Sequence, residues 1–309
     1  MSNQTTLFRP GWYYRLSSFF RRQFGEPVFK IPIDAGFSCP NHDGTVGTGG
    51  CSYCYNPSFS PFSNNAIAAS VTAQLQRGKK KHKQARYLAY FQSYTNTYAP
   101  LEELKALYDE ALADPEVEGL SIATRPDCIS EEIISLLESY AKHCHLWVEY
   151  GLQSAHDKTL KMINRGHNAE AFVRAVEMTR SRGIYICAHI ILGLPGETPG
   201  MMLQTVNFLN RLAVDGVKFH HLQIIKNTPL AIEYARGKVA VYEKADDYIP
   251  ILCDCLERLS PTMAIHRLAS QAASEDLLIV PHWPEGAGQI ASLVETELIS
   301  RGTYQGCLI

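Results

Sequence analysis

Val28-Phe-Lys-Ile-Pro-Ile-Asp-Ala35 runs directly into Gly36-Phe-Ser-Cys39-Pro-Asn-His-Asp-Gly-Thr-Val-Gly-Thr-Gly-Gly-Cys51-Ser-Tyr-Cys54. The first piece is an apolar run of strand length. The second is a glycine-rich loop that carries three cysteines. Such a loop can close tightly around a bulky inorganic group, and its N–H groups can donate to that group's sulfur atoms. Three thiolates on one loop describe an iron–sulfur site with one iron left free for a further ligand. His42 keeps a second reading open, a closed Cys₃His zinc site. A disulfide framework fits poorly. Nine cysteines is an odd number, 309 residues is long for a disulfide-stapled domain, and Met1-Ser-Asn-Gln-Thr-Thr6 opens on no apolar leader.

Outward from this loop the chain alternates strand-like and helix-like segments. Apolar runs bounded by turn signals occupy 28–35, 86–92, 118–124, 145–151, 184–191 and 216–225. Leu101, Leu104, Leu107, Tyr108, Ala111 and Leu112 recur at helical spacing, as do Ile133, Ile134, Leu137 and Tyr140 behind a Ser130 start signal. Residues 171–182, 202–212 and 246–259 read as further helices. Six repeats predict an α/β fold with a parallel sheet. Six is fewer than the eight of a closed barrel, so an open, partial (β/α)₆ barrel is expected. It would span 28–259, with an N-terminal extension over 1–27 and a C-terminal extension over 260–309. An apolar fraction of 46% suits a folded core, and a net charge of −2 gives no global nucleic-acid signal. The longest apolar stretch, 184–194, is too short to cross a bilayer, so a soluble cytoplasmic protein is expected.

In parallel β/α folds the chemistry sits at the carboxyl ends of the strands. Polar groups gather there in this sequence: Ser93-Tyr-Thr-Asn96, Thr124-Arg-Pro-Asp127 and the Gly193-Leu-Pro-Gly196 turn. Glu149 sits inside an otherwise apolar strand. A buried carboxylate is costly unless partnered, so it predicts a ligand hydroxyl or a structural salt bridge.

Together these loops resemble the radical S-adenosylmethionine (SAM) superfamily, in the YhcC/YtqA-like branch related to the Elongator catalytic subunit. The likeness covers nearly the whole chain. It rests on Gly36-Phe-Ser-Cys-Pro-Asn41, the block 90–100, Ala123-Thr-Arg-Pro-Asp-Cys128, Trp147-Val-Glu-Tyr-Gly-Leu-Gln153, Ile163-Asn-Arg-Gly-His167, Asn227-Thr-Pro229 and Arg301-Gly-Thr-Tyr-Gln-Gly306. The resemblance implies that Cys39, Cys51 and Cys54 hold a [4Fe–4S] cluster. SAM would bind its open iron and be cleaved to methionine and a 5′-deoxyadenosyl radical. It further implies that Tyr53 lies near the adenine and that Ser93, Thr95 and Asn96 stand in the methionine-binding loop. Glu149 and Gln153 fall at polar SAM-contacting positions. Arg165 matches an arginine that pairs with the SAM carboxylate, and His189 a position near the ribose.

The same resemblance implies tRNA as partner, an electron donor such as flavodoxin or ferredoxin, and no membrane. The expected reaction trims carboxymethylaminomethyl to aminomethyl on the wobble uridine. A small-molecule or protein substrate is the alternative within the enzyme class. A non-catalytic iron–sulfur or zinc protein that binds a protein partner is the alternative outside it. Arg77, Lys79, Lys80, Lys81, Lys83 and Arg86 form the basic run that could contact phosphates, or simply a solvated face. Tyr55, Tyr90, Tyr94 and Tyr98 could stack on a splayed base. Cys128, at a strand end, is a candidate hydrogen donor. Residues 269–273, Ala-Ser-Gln-Ala-Ala, depart from the Thr-Gly-Asp stretch of the family.

Overall fold

The computed structural model describes residues 11–58, 70–81, 85–271 and 275–309. Its strands are β1 (Val28–Ile33), β2 (Arg86–Phe91), β3 (Val117–Thr124), β4 (His145–Gln153), β5 (Tyr185–Leu192), β6 (Gly216–His221), β7 (Ile224–Ile225), β8 (Ala264–Arg267) and β9 (Leu278–Val280). Seven of them form one parallel sheet in the order β1-β2-β3-β4-β5-β6-β8. The sheet curls into a half-barrel. The six expected strands are present in the expected order, and two details differ. The run 216–225 breaks after His221, and β7 leaves the sheet to pair antiparallel with β9. A seventh strand, β8, comes from the segment expected to lie beyond the barrel. Four residues, Ala264-Ile-His-Arg267, half of them polar, carry too little pattern to reveal it.

The helices between strands start where the sequence offers side-chain caps. Ser130, Asn168, Thr198 and Thr228 each accept from a backbone N–H in the first turn, and proline follows the last two. Helices Leu16–Phe24 and Ala287–Arg301 were not legible as sequence patterns.

Strand pleating sorts side chains into two layers. Phe91, Ile122, Val148, Ala188 and Phe219 point outward and pack under the helices in the main core. The inward positions form storeys. At the amino ends Leu88, Trp147 and Cys187 pack on Phe20 of the first helix, and the Phe19 ring lies 5.2 Å from both Trp147 and Tyr185. This aromatic plug closes the lower end. One inward step higher, the layer turns polar: Lys30, Tyr90, Ser121, Glu149, His189 and Lys218. The cysteine loop lies above it, at the carboxyl end of β1.

Candidate functional site

The loop after β1 is held in shape by its own backbone and by residues 164–166. The Gly50 N–H donates to the Asn41 carbonyl, and Asn164 Nδ2 donates to the Gly50 carbonyl at 2.7 Å. Gly50 has φ 75°, and a Cβ there would collide with the His42 ring, so the position demands glycine. Asn41 Nδ2 donates to the Asn164 carbonyl at 2.6 Å and lies 3.6 Å from Cys51 Sγ. Arg165 Nη1 lies 3.6 Å from the same sulfur, while its Nε and Nη2 both donate to the Gly151 carbonyl at the end of β4. Arg125 in turn donates to the Arg165 carbonyl and pairs with Asp127.

Cys39, Cys51 and Cys54 all line one cavity of about 450 Å³, together with Tyr53, Thr95 and Gln153. Burial pushes the Cys54 thiol up to about 12, with Cys51 and Cys39 adding to the rise. Among the described residues, the group of His, Cys, Asp or Glu whose ligand atoms all lie within 4.8 Å of one another is Glu149, Cys187 and His266, not the three loop cysteines with or without His42. A tetrahedral zinc with Zn–S near 2.3 Å holds its sulfurs about 3.8 Å apart. The loop thiols are therefore not drawn together to single-ion spacing here. Glu149 itself is taken by lysines, which removes the acidic trio as a metal site.

Glu149 is fully buried, and both its oxygens are occupied by protein groups. Oε1 accepts from Lys30 Nζ at 2.5 Å and Ser121 Oγ at 2.6 Å; Oε2 accepts from His189 Nε2 at 2.6 Å and lies 3.3 Å from Lys218 Nζ. Burial opposes its ionisation, but Lys218 and Lys30 outweigh burial and hold its pKa well below the usual carboxylate range. Burial lowers His189 to about 4 and His266 to about 3, so both rings are neutral. Burial also lowers Lys218 to about 8, against the attraction of Glu149. Lys218 Nζ lies 2.6 Å from Tyr90 Oη. The salt-bridge reading of Glu149 is thus the one its surroundings satisfy.

Lys218, Arg267, Tyr90 and Gln223 also line a second, larger cavity of about 1080 Å³, which Lys30 and His266 join and the cysteines do not. Its far wall comes from the C-terminal segment, where Trp283 stacks on His221 with centroids 3.9 Å apart. Ser270 and Gln271, in the stretch that departs from the family, line both cavities; Ala272 and Ala273 lie outside the described residues.

The model of the family described as "Radical SAM superfamily" matches residues 44–209, more than half of the chain, and a Radical_SAM C-terminal domain model matches residues 214–300. The chain belongs to the radical SAM superfamily. It is 39% identical over 297 residues to the uncharacterized protein YtqA of Bacillus subtilis, covering 95% of this chain and 92% of that one. It is 30% identical over 132 residues to the tRNA uridine(34) acetyltransferase of Methanocaldococcus infernus, covering 41% of this chain and 24% of that protein. The fold superposes on the archaeal Elp3 of Methanocaldococcus infernus with a TM-score of 0.66 at 17% identity, over 90% of this chain and 64% of that one.

Radical SAM enzymes use a [4Fe–4S] cluster and SAM, which are the cofactors of this family. The cavity fits such a pair. Among the described residues it offers three thiols and no fourth, and Thr95 Oγ1 and Gln223 Oε1 on its wall are buried without a hydrogen-bond partner. Of the residues the radical SAM resemblance marked, Tyr53, Ser93, Thr95, Glu149, Gln153, Arg165 and His189 all line it. Gln153 does so at φ 74°, a strained conformation for a side-chain-bearing residue. Asn96 does not reach the cavity. Its Nδ2 and backbone N–H both donate to the Ala123 carbonyl, and its own carbonyl accepts from Tyr108, so it ties the loop to β3. Cys128 lines a separate groove with Thr97 and Ile129, and burial pushes its thiol up to about 12. Cys128 thus lies on a wall other than that of the thiol-lined cavity, with its S–H kept protonated. Lys30 and Lys218 went unread in the sequence, although each is a charge inside an apolar strand, the same signal that marked Glu149.

Proposed function

We propose that this chain is a SAM-cleaving enzyme that acts on the wobble uridine of tRNA, trimming a carboxymethylaminomethyl group to aminomethyl. The observation that carries this reading is the pairing of two joined cavities. The smaller has three thiols on its wall and the larger has none, so cofactor and substrate have separate chambers that meet at Lys218, Tyr90, Gln223 and Arg267. A relative named as a tRNA uridine(34) acetyltransferase supports the choice of RNA. Tyr90, on the wall that the two cavities share, is an aromatic group beside the larger one where an unstacked base would lie.

In this reading Cys39, Cys51 and Cys54 hold the cluster, and Tyr53, Thr95, Gln153 and Arg165 face SAM. When bound, the pair supplies a carbon-centred radical able to remove a hydrogen atom from substrate. The chain's own part is positioning. Asn41 and Arg165 donate toward Cys51 Sγ, and with a cluster bound these donors would spread charge off the sulfur and raise the cluster potential. The aromatic plug closes the lower end of the half-barrel, and the C-terminal segment walls one side of the larger cavity.

Anaerobic reconstitution should give a brown protein that forms 5′-deoxyadenosine from SAM and reductant. Nucleoside profiles of tRNA from a deletion strain should accumulate the carboxymethylaminomethyl form. A colourless protein would remove the cofactor reading, and an unchanged tRNA profile would remove the substrate reading alone.

A further inference from the structure

Two lysines meet one carboxylate, and an arginine stands near them, where the two cavities join. Lys30 and Lys218 both contact Glu149, and Arg267 lines both cavities without an ion pair among the described residues. Glu275 and Glu285, also on the wall of the larger cavity, form no ion pair with any of the three. His189 and His266 are neutral and add no charge. Both lysines thus lean on one carboxylate, and Arg267 beside them has no ion-pair partner among the described residues, in a place where Lys218 is 6% exposed and Glu149 0%. Buried charge is stable only when paired, so the arrangement is complete only with an anion.

We infer that Lys30, Lys218 and Arg267 form a receptor for a carboxylate carried by the substrate. The inference rests on the radical SAM reading above and names what the larger cavity selects. Two other anions compete. The SAM carboxylate belongs on the cysteine side, where Arg165 stands beside Cys51; Lys30 lines only the cavity that has no cysteine. A backbone phosphate is flanked by nucleotides on both sides and cannot reach lysines this deeply buried. A carboxylate at the end of a slender substituent can. Arg267 offers it a planar fork of donors, and Lys218 a compact charge already aligned by Tyr90.

The test uses the cluster-loaded full chain and two synthetic anticodon stem-loops. One carries carboxymethylaminomethyl on its wobble uridine and the other methylaminomethyl, which lacks the carboxylate. Affinities are read anaerobically by fluorescence anisotropy. The wild type should prefer the carboxylated RNA by about tenfold or more, the scale of a charge-assisted hydrogen bond. Lys218→Met and Arg267→Gln should each shrink that preference to about twofold or less, with a smaller change in SAM affinity. Arg267 has no ion pair to break, so its variant keeps the test alive if Lys218→Met fails to fold. An equal loss for both RNAs would assign the cations to a phosphate and overturn the inference. So would a larger loss in SAM affinity, or no preference in the wild type. If the wild type binds neither RNA, the wobble-uridine reading fails and the receptor is judged on acetate by calorimetry. Heat lost in Arg267→Gln then supports a carboxylate receptor for another substrate; equal heat in both proteins overturns it.

Discussion

The basic run at residues 77–86 and the three cations at the cavity junction differ in what their neighbours do with the charge. Lys79 is paired with Asp114 and Glu116, and Arg86 with Glu26 and Glu118. Arg86 opens β2, so the run sits at the amino ends of the strands, opposite the cysteine loop. Lys83 lies outside the described residues. Lys30, Lys218 and Arg267 come from three different strands; the two lysines share Glu149, and Arg267 has no ion pair among the described residues. Two of the charges that are neighbours in sequence are already paired one to one or better, whereas the two lysines that converge through the fold have a single carboxylate between them. Lys79 and Arg86 are therefore engaged within the protein, as on a solvated face, and contact of the rest of the run with tRNA phosphates is tested by the salt dependence of RNA affinity.

The largest effect separates the thiols from both cation sets. Cys51→Ala should abolish the brown chromophore and bring 5′-deoxyadenosine formation to background, and full cluster occupancy in that variant would break the site. Stability comes next. Glu149→Gln leaves two buried lysines uncompensated and should cost about 3–5 kcal/mol in urea unfolding. Lys79→Ala breaks its pairs with Asp114 and Glu116 but strands no fully buried charge, and should cost less, about 1–3 kcal/mol. The pH dependence of that Glu149 contribution has a definite sign. Its folded pKa lies well below the ordinary 4.5, so the stability it adds is complete above that value and is lost as pH falls through the folded one.

A subtler separation uses pH on the other side. Lys218 faces Lys30 on β1, Tyr90 on β2, Glu149 on β4, Cys187 and His189 on β5, and His266 and Arg267 on β8, and burial sets its pKa to about 8. Preference for the carboxylated stem-loop should decline as pH rises through that value, because the lysine loses its charge. Lys79→Ala should leave that profile in place. The smallest effect belongs to the basic run itself. Replacing Lys80 and Lys81 together with alanine should change RNA affinity by about twofold or less and leave its salt slope intact; a marked flattening would return the run to the interface.

The half-barrel was legible because each of its first six strands is an apolar run closed by a turn signal. The cysteine loop was legible because thiols are rare and their spacing is local. β8 was not, since four residues gain their strand identity only from the register with β6. The cation receptor was not either. Its members are 49 and 188 residues apart along the chain, counting from Lys218 to Arg267 and from Lys30 to Lys218, and only the curl of the sheet joins them. Asn96 misled for a related reason. It sits beside Ser93 and Thr95 in sequence, but the turn sends its side chain into hydrogen bonds with β3.

The central claim is that radical chemistry in the thiol-lined cavity is aimed at a carboxylated wobble substituent in the cavity beside it. The most direct measurement is mass spectrometry of tRNA nucleosides after anaerobic incubation of the cluster-loaded enzyme with tRNA, SAM and reductant. Loss of the carboxymethylaminomethyl nucleoside, matched by gain of the aminomethyl one and by 5′-deoxyadenosine, is the predicted result. SAM cleavage with every tRNA nucleoside unchanged would contradict it.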